Sequence, residues 1–106
     1  LLELCSAFNF GPALADHRTV CELVEELIKN SAAYGRWDDK TDSRAPYEAK
    51  LLHLSTEKVR RVLGWAPRWG FAEAVRLTAA WHHSSQGDRA ALTRSQIAEF
   101  STSHPT

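Results

Sequence analysis

Glu48 and Arg44 are the residues of this sequence whose chemistry and spacing best suit a ligand. Glu48 opens an apolar stretch after a polar loop, and its carboxylate could accept hydrogen bonds from both hydroxyls of a ribose. Arg44 lies four residues earlier, and a guanidinium can pair two oxygens of a diphosphate at once. From the spacing alone, an exposed loop acid and an exposed loop arginine are the simpler interpretation of both residues.

The remaining polar side chains do not form a catalytic set. Neither Gly-x-Gly-x-x-Gly nor Gly-Lys-Ser/Thr occurs, and neither Tyr34 nor Tyr47 has a lysine four residues later. Adjacent His82 and His83 would point in different directions on a helix, and the histidines include no pair at ligand spacing on one helix face. The sequence therefore predicts no catalytic residue, no cofactor-binding residue and no metal site in this chain.

An aromatic corner follows Gly64, where Trp65 and Trp69 bracket Pro67 and Arg68. We expect these indoles to pack on the helix that follows. A guanidinium of Arg68 stacked on either indole would add a minor stabilising contact.

Helix signals place these residues on a scaffold. Thr19 and Glu22 form a capping box ahead of apolar residues at helical spacing, and Thr93 and Gln96 predict a second one. Gly64 is placed to end a helix in a Schellman motif, since glycine adopts the left-handed conformation. The predicted helices lie near 19–30, 56–63, 71–84 and 93–101, and short strands near 7–10, 36–39 and 49–54.

Composition limits the classes of protein that this chain can represent. Its 106 residues are 43% apolar and 25% charged, which is typical of one soluble globular domain or part of one. Thirteen basic and thirteen acidic residues cancel, so no global field would attract nucleic acid or an anionic membrane. No apolar run approaches the roughly 20 residues of a membrane span, and no signal peptide is indicated. We predict a cytoplasmic protein.

The cysteines and methionines carry two further expectations. Cys5 and Cys21 have the spacing of neither a disulfide framework nor a zinc knuckle, so we expect two buried thiols in a reducing compartment. The chain has no methionine, even at position 1, which indicates a fragment of a longer protein.

Five short motifs follow one another along the chain, at Phe8–Pro12, Pro46–Ala49, Leu52–Leu54, Leu63–Trp69 and Thr93–Ile97. In this order they resemble the carboxy-terminal portion of CDP-glucose 4,6-dehydratases, which are extended short-chain dehydrogenase/reductases. The Leu-Gly-Trp-x-Pro corner is shared by many sugar-nucleotide epimerases and dehydratases, whereas Asn-Phe-Gly-Pro and Pro-Arg-Trp point to the CDP-glucose branch.

The resemblance implies an α/β fold in which residues 1–106 form a small mixed α+β portion that binds a nucleotide sugar. The dinucleotide-binding domain would lie before Leu1, so the isolated chain would not be catalytic. The intact enzyme would use NAD to convert CDP-glucose to CDP-4-keto-6-deoxyglucose, a precursor of bacterial surface deoxysugars such as those of the lipopolysaccharide O-antigen. It would act as a homo-oligomer.

The resemblance also implies roles for three residues. Glu48 lies seven residues before Ser55, the spacing at which related enzymes place the acid that binds the nucleotide ribose. Their partner arginine would fall at Ala45, one residue from Arg44, which is carried over to the diphosphate. Tyr47 stands where the family usually has histidine and is carried over as a nucleotide contact. The predicted substrate-binding residues are therefore Glu48, Arg44 and Tyr47.

Three alternatives remain open at this point. The chain could belong to another sugar-nucleotide epimerase or dehydratase, or be a non-catalytic interaction domain that kept the scaffold. It could also be a helix-turn-helix DNA-binding module, with a recognition helix starting at Thr93 and basic residues at Lys58, Arg60 and Arg61. The zero net charge and the order of strands and helices argue against DNA binding.

Overall fold

The computed structural model describes residues 2–31, 35–38, 40, 44 and 54–104, and the structural statements that follow concern this part of the chain. Two short 3-10 turns, at Leu2–Leu4 and Leu14–Asp16, precede the first long element. Four α-helices follow: α1 (Val20–Asn30), α2 (Glu57–Leu63), α3 (Phe71–His83) and α4 (Arg89–Thr102).

Helix α1 begins as the sequence predicts. The Thr19 hydroxyl accepts a hydrogen bond from the Glu22 backbone N–H at 3.2 Å, and the Thr19 N–H donates to the Glu22 carboxylate at 3.0 Å. The capping box satisfies donors that a helix N-terminus would otherwise leave unpaired. It is confirmed.

Helix α2 ends at Gly64, whose φ of 65° lies in the left-handed region that favours glycine. The Gly64 N–H donates to the Arg60 carbonyl at 3.0 Å and the Trp65 N–H to the Val59 carbonyl at 3.4 Å. The bond from Gly64 to Arg60 is that of a left-handed (αL) C-cap and not the pair of bonds of a Schellman motif, so the predicted stop at Gly64 is confirmed but the predicted Schellman pattern is wrong. Val59 is fully buried, but Leu63, which the periodicity also directs inward, is 46% exposed.

Helix α3 is the centre of the fold, with α1 and α4 packed against it. Its residues Val75, Leu77 and Ala79 are buried and, with Val59 of α2 and Pro67, make up the small core of the described residues. Because Val75 and Leu77 cannot share one helix face, α3 is covered on more than one side.

Helix α4 starts at Arg89, four residues before the predicted start, so the capping box at Thr93 and Gln96 is wrong. The run Ala90-Ala91-Leu92 has high helix propensity and extends the helix back to the polar break that ends at Asp88. Thr93 therefore lies inside α4, where its hydroxyl donates to the Arg89 carbonyl at 2.7 Å.

Residues 7–10 and 36–38, predicted as short strands, have no regular secondary structure in the described part of the chain. Residues 39 and 49–53 lie outside it. A strand needs a hydrogen-bonded neighbour, and the described residues supply none for these two segments. The α/β class therefore stays a prediction.

The cysteines correct one expectation. Cys5 is exposed, and Cys21 is partly exposed with its thiol 3.7 Å from the Glu25 carboxylate, so neither is a buried thiol. Each is more open because it lies outside the core around α3. Among the described helices, none combines the length and apolar character needed to cross a membrane.

Candidate functional site

The structure places one of the three predicted substrate-binding residues. Arg44 lies in an exposed turn. Glu48 and Tyr47 fall outside the described residues, so their distances from Arg44 are not described. Their roles stay predictions.

The described residues form an apolar cleft of about 480 Å³ between α1, the Trp65–Trp69 corner and α3. Volumes of this size are typical of small-molecule sites, which are mostly apolar with a few polar groups. Side chains from all three elements and from α4 line it, among them Leu23, Leu27, Trp65, Phe71, Val75 and Phe100.

Asp16 is the carboxylate at the edge of this cleft, and it has a structural partner. Its Oδ1 accepts a hydrogen bond from the backbone N–H of Phe71 at 3.2 Å, which satisfies one of the unpaired donors at the start of α3. The Arg18 guanidinium lies 5.0 Å from the centroid of the Phe71 ring. Asp16 and Arg18 thus dock the segment before α1 onto the first turn of α3.

The aromatic corner holds the end of α4. Arg68 does not stack on an indole. Its Nη1 donates to the carbonyl oxygens of Ser101 and Ser103 at 2.8 Å each, and its guanidinium lies 5.6 Å from the Phe100 ring centroid. A cation beside the last carbonyls of a helix stabilises the negative end of its dipole. Arg68 therefore binds the end of α4 and not an indole, since hydrogen bonds from a charged donor are strong.

The indole of Trp69 also contacts the carboxy-terminal end of α4. Its Nε1–H donates to the Ser103 hydroxyl at 3.2 Å, and its ring meets Phe100 edge-on with centroids 5.0 Å apart. Trp65 instead meets Phe10 edge-on at 5.1 Å. Both tryptophans of the corner are packing residues, but their ring partners are Phe10 and Phe100 of α4 rather than α3, the helix that follows the corner.

A second, polar groove of about 600 Å³ runs between α1 and the start of α3. Hydrogen bonds from the backbone and side chain of Thr19 lower the pKa of Glu22, and Arg76 lowers that of Glu73 by donating to its carboxylate. Both groups are therefore ionised surface acids with partners. Within the described ranges, no three side chains of His, Cys, Asp or Glu are grouped as a metal site.

Two of the three basic residues of α2 bind the amino-terminal segment, while Arg60 donates to the Thr56 hydroxyl at the start of its own helix. Lys58 Nζ donates to the Ala7 carbonyl and the Ser6 hydroxyl, both at 2.8 Å, and Arg61 pairs with Glu3 at 2.7 Å. These groups are engaged within the chain and α4 starts before Thr93, which both count against the helix-turn-helix interpretation.

A dinucleotide would need glycines that let the backbone approach its phosphates. In the described residues the glycines with positive φ are Gly35 and Gly64, and Gly64 is used to end α2. The described residues do not supply such a glycine turn for NAD, and the absence of a cofactor-binding residue from this chain stays a prediction.

Sequence reasoning missed Asp16 and the cleft. Asp16 and its partner Phe71 are 55 residues apart, and no local pattern links them. The apolar spacing of Leu23 and Leu27 on α1 signals a buried face, but not which helix faces it.

Comparison with known proteins adds a relationship. The CDP-glucose 4,6-dehydratase of Salmonella typhimurium is 33% identical over 80 residues, which cover 76% of this chain and 22% of that protein. The dTDP-glucose 4,6-dehydratase 1 of Escherichia coli is 27% identical over 67 residues, covering 63% and 18%. The dTDP-glucose 4,6-dehydratase of Shigella flexneri is 25% identical over 64 residues, covering 60% and 18%.

The chain is related to sugar-nucleotide 4,6-dehydratases. It spans about a fifth of the length of these curated relatives. No protein-family model matches the chain. No solved structure matches it either.

Proposed function

We propose that this chain is the substrate-binding portion of a CDP-glucose 4,6-dehydratase. One observation carries the choice of nucleotide. Identity to the CDP-glucose relative is 33% over 80 residues, against 27% over 67 residues for the first dTDP-glucose relative. The Asn-Phe-Gly-Pro and Pro-Arg-Trp motifs favour the same branch.

The proposed reaction removes water from CDP-glucose and yields CDP-4-keto-6-deoxyglucose. NAD, bound outside these residues, would supply the hydride chemistry of the reaction without being consumed. The residues of this chain would bind the nucleotide end of the substrate. Glu48 would accept hydrogen bonds from the ribose hydroxyls, Arg44 would pair with the diphosphate, and Tyr47 would contact the nucleotide.

The described helices would supply the rigid support for that binding segment. In the sequence Glu48 lies nine residues before the first residue of α2, and the end of α2 is fixed by the left-handed cap at Gly64. The corner after Gly64 is in turn fastened to α4 by Arg68 and Trp69.

Titration calorimetry on the full-length protein that carries this chain tests the proposal. Addition of CDP-glucose should give a measurable heat of binding. Its dissociation constant should be at least about tenfold lower than that of dTDP-glucose. Tighter binding of dTDP-glucose would place the protein with the dTDP-glucose enzymes. Binding of neither nucleotide sugar would refute the substrate assignment and favour a non-catalytic interaction domain.

A further inference from the structure

Helix α4 meets the rest of the described chain through a seam that is largely polar. None of its residues is buried, and Ile97 is 62% exposed. The half-buried positions repeat every three or four residues along one side of the helix and continue into its C-cap. Three of these five positions are polar, namely Arg89, Gln96 and Ser103, and the other two are Leu92 and Phe100.

Hydrogen bonds fasten the amino-terminal and middle parts of the seam to α3. The Trp81 Nε1–H donates to the Thr93 hydroxyl at 2.9 Å, and Gln96 donates to the Leu77 carbonyl at 2.9 Å. The Arg89 guanidinium lies 4.5 Å from the Trp81 ring centroid. Each contact is a specific polar interaction rather than buried apolar area.

The carboxy-terminal end is held by the aromatic corner. Arg68 donates to the carbonyls of Ser101 and Ser103, and Trp69 donates to the Ser103 hydroxyl. Phe100 packs against Trp69 and forms part of the wall of the apolar cleft. The carboxy-terminal end of the seam is therefore held by the ring contact between Phe100 and Trp69 and by hydrogen bonds from Arg68 and Trp69.

Water can replace most of these contacts when the helix leaves. Opening α4 exposes the half-buried side chains of Leu92 and Phe100 together with polar groups that hydrate well, and the net loss for each hydrogen bond is small. Helix α3 differs, because leaving its site would expose the buried side chains of Val75, Leu77 and Ala79. Elements with few buried apolar contacts open locally at lower free energy than the core.

We propose that α4 is a strap, that is, a helix that dissociates locally from α3, and that it closes one wall of the apolar cleft. The hydrogen bonds of Arg68 to the end of α4 hold it in the closed position. In the closed state Phe100 lies in the cleft wall. In the open state α1, α2 and α3 keep their packing, and the aromatic surface of Trp69 and Phe100 becomes accessible. This inference does not rest on the proposed function.

Hydrogen–deuterium exchange on the full-length protein tests the strap. Peptides from Arg89–Thr102 should exchange at least about tenfold faster than peptides from Phe71–His83. In Arg68→Gln, exchange over residues 96–102 should rise by about tenfold more, while peptides from Val20–Asn30 keep the wild-type rate. Arg94→Gln, which changes an exposed arginine of α4 outside the seam, should change neither.

Equal exchange of α3 and α4 in the wild-type protein would overturn the proposal, whatever the variants do. So would an Arg68→Gln variant in which α1, α3 and α4 all exchange faster by the same factor, because that is global destabilisation. If Arg68→Gln does not fold, Thr93→Val removes the acceptor for Trp81 at the other end of the seam. It should accelerate exchange in α4 alone.

Discussion

Glu48 is the residue on which binding of the nucleotide depends in the proposed function. Replacing it by alanine removes the acceptor for the ribose hydroxyls. Hydrogen bonds to a charged group contribute about 1.5–3 kcal/mol, so the dissociation constant for CDP-glucose should rise by about ten- to a hundredfold in Glu48→Ala. Titration calorimetry on the full-length variant measures this change, and its melting temperature should stay that of the wild type.

Two further variants sharpen the test of Glu48. Glu48→Gln keeps one acceptor oxygen without the charge and should lie between the wild type and Glu48→Ala. Glu25→Ala removes an exposed acid of α1 and should leave the dissociation constant unchanged. Wild-type affinity in Glu48→Ala would remove this residue from the substrate site.

Residues whose partners are near in sequence were predictable, and residues whose partners are distant were not. Gly64 ends α2 through atoms of the preceding turn, which the local pattern already contains. Arg68 caps a helix end 33 to 35 residues away, so its sequence neighbours Pro67 and Trp69 suggest stacking instead. The role of Glu48 comes from a resemblance, since a single carboxylate carries no ligand information of its own.

At the scale of elements, the capping box of α1 makes the stability of this helix depend on pH. The Thr19 N–H donates to the Glu22 carboxylate, which holds the pKa of Glu22 below its ordinary value of 4.5. A lowered folded-state pKa means that the stabilising contribution is fully present above 4.5 and disappears as the pH falls through the lower, folded value.

Glu22→Gln isolates this contribution, because glutamine can keep the capping hydrogen bond but not the charge. The wild type should unfold at higher urea concentration than Glu22→Gln near neutral pH, and the difference should vanish in acid well below 4.5. Urea titrations of both proteins across that range give the result. Glu25→Gln, outside the capping box, should show a smaller difference from wild type near neutral pH. A gap between wild type and Glu22→Gln that widens toward acid would contradict the capping account.

Helices α1, α2 and α3 were predictable within a residue or two, because α1 carries a start signal, α2 a stop signal and α3 apolar residues at helical spacing. The start of α4 was missed since Thr93 and Gln96 imitate a capping box within a longer helical run. Their side chains serve contacts with α3 instead, at Trp81 and Leu77. A local sequence pattern cannot distinguish a threonine and a glutamine that cap a helix from the same residue types in a contact between two helices.

At the scale of the whole molecule, the described residues bury few apolar side chains. The Cα radius of gyration is 16.8 Å, whereas a compact domain of about 100 residues measures roughly 13 Å. Large apolar side chains are exposed outside the core, with Leu2 at 90%, Val20 at 75% and Leu14 at 74%. In the proposed function, such surface would face the rest of the enzyme.

The arrangement of α1, α3 and α4 was not predictable from helix periodicity. Periodicity identifies an apolar face on α1, but the choice of α3 as the shared partner depends on contacts between residues far apart in sequence. The α/β class depends likewise on pairing partners for the predicted strands. Only the resemblance supplied an expectation at this scale.

Turnover by the full-length protein tests the central claim most directly. With NAD present, the protein should convert CDP-glucose to CDP-4-keto-6-deoxyglucose, with a kcat/KM at least about tenfold higher than for dTDP-glucose. Product identity can be established by mass spectrometry, which detects the loss of one water. Equal or faster turnover of dTDP-glucose, or turnover of neither substrate by a folded protein, would contradict the account.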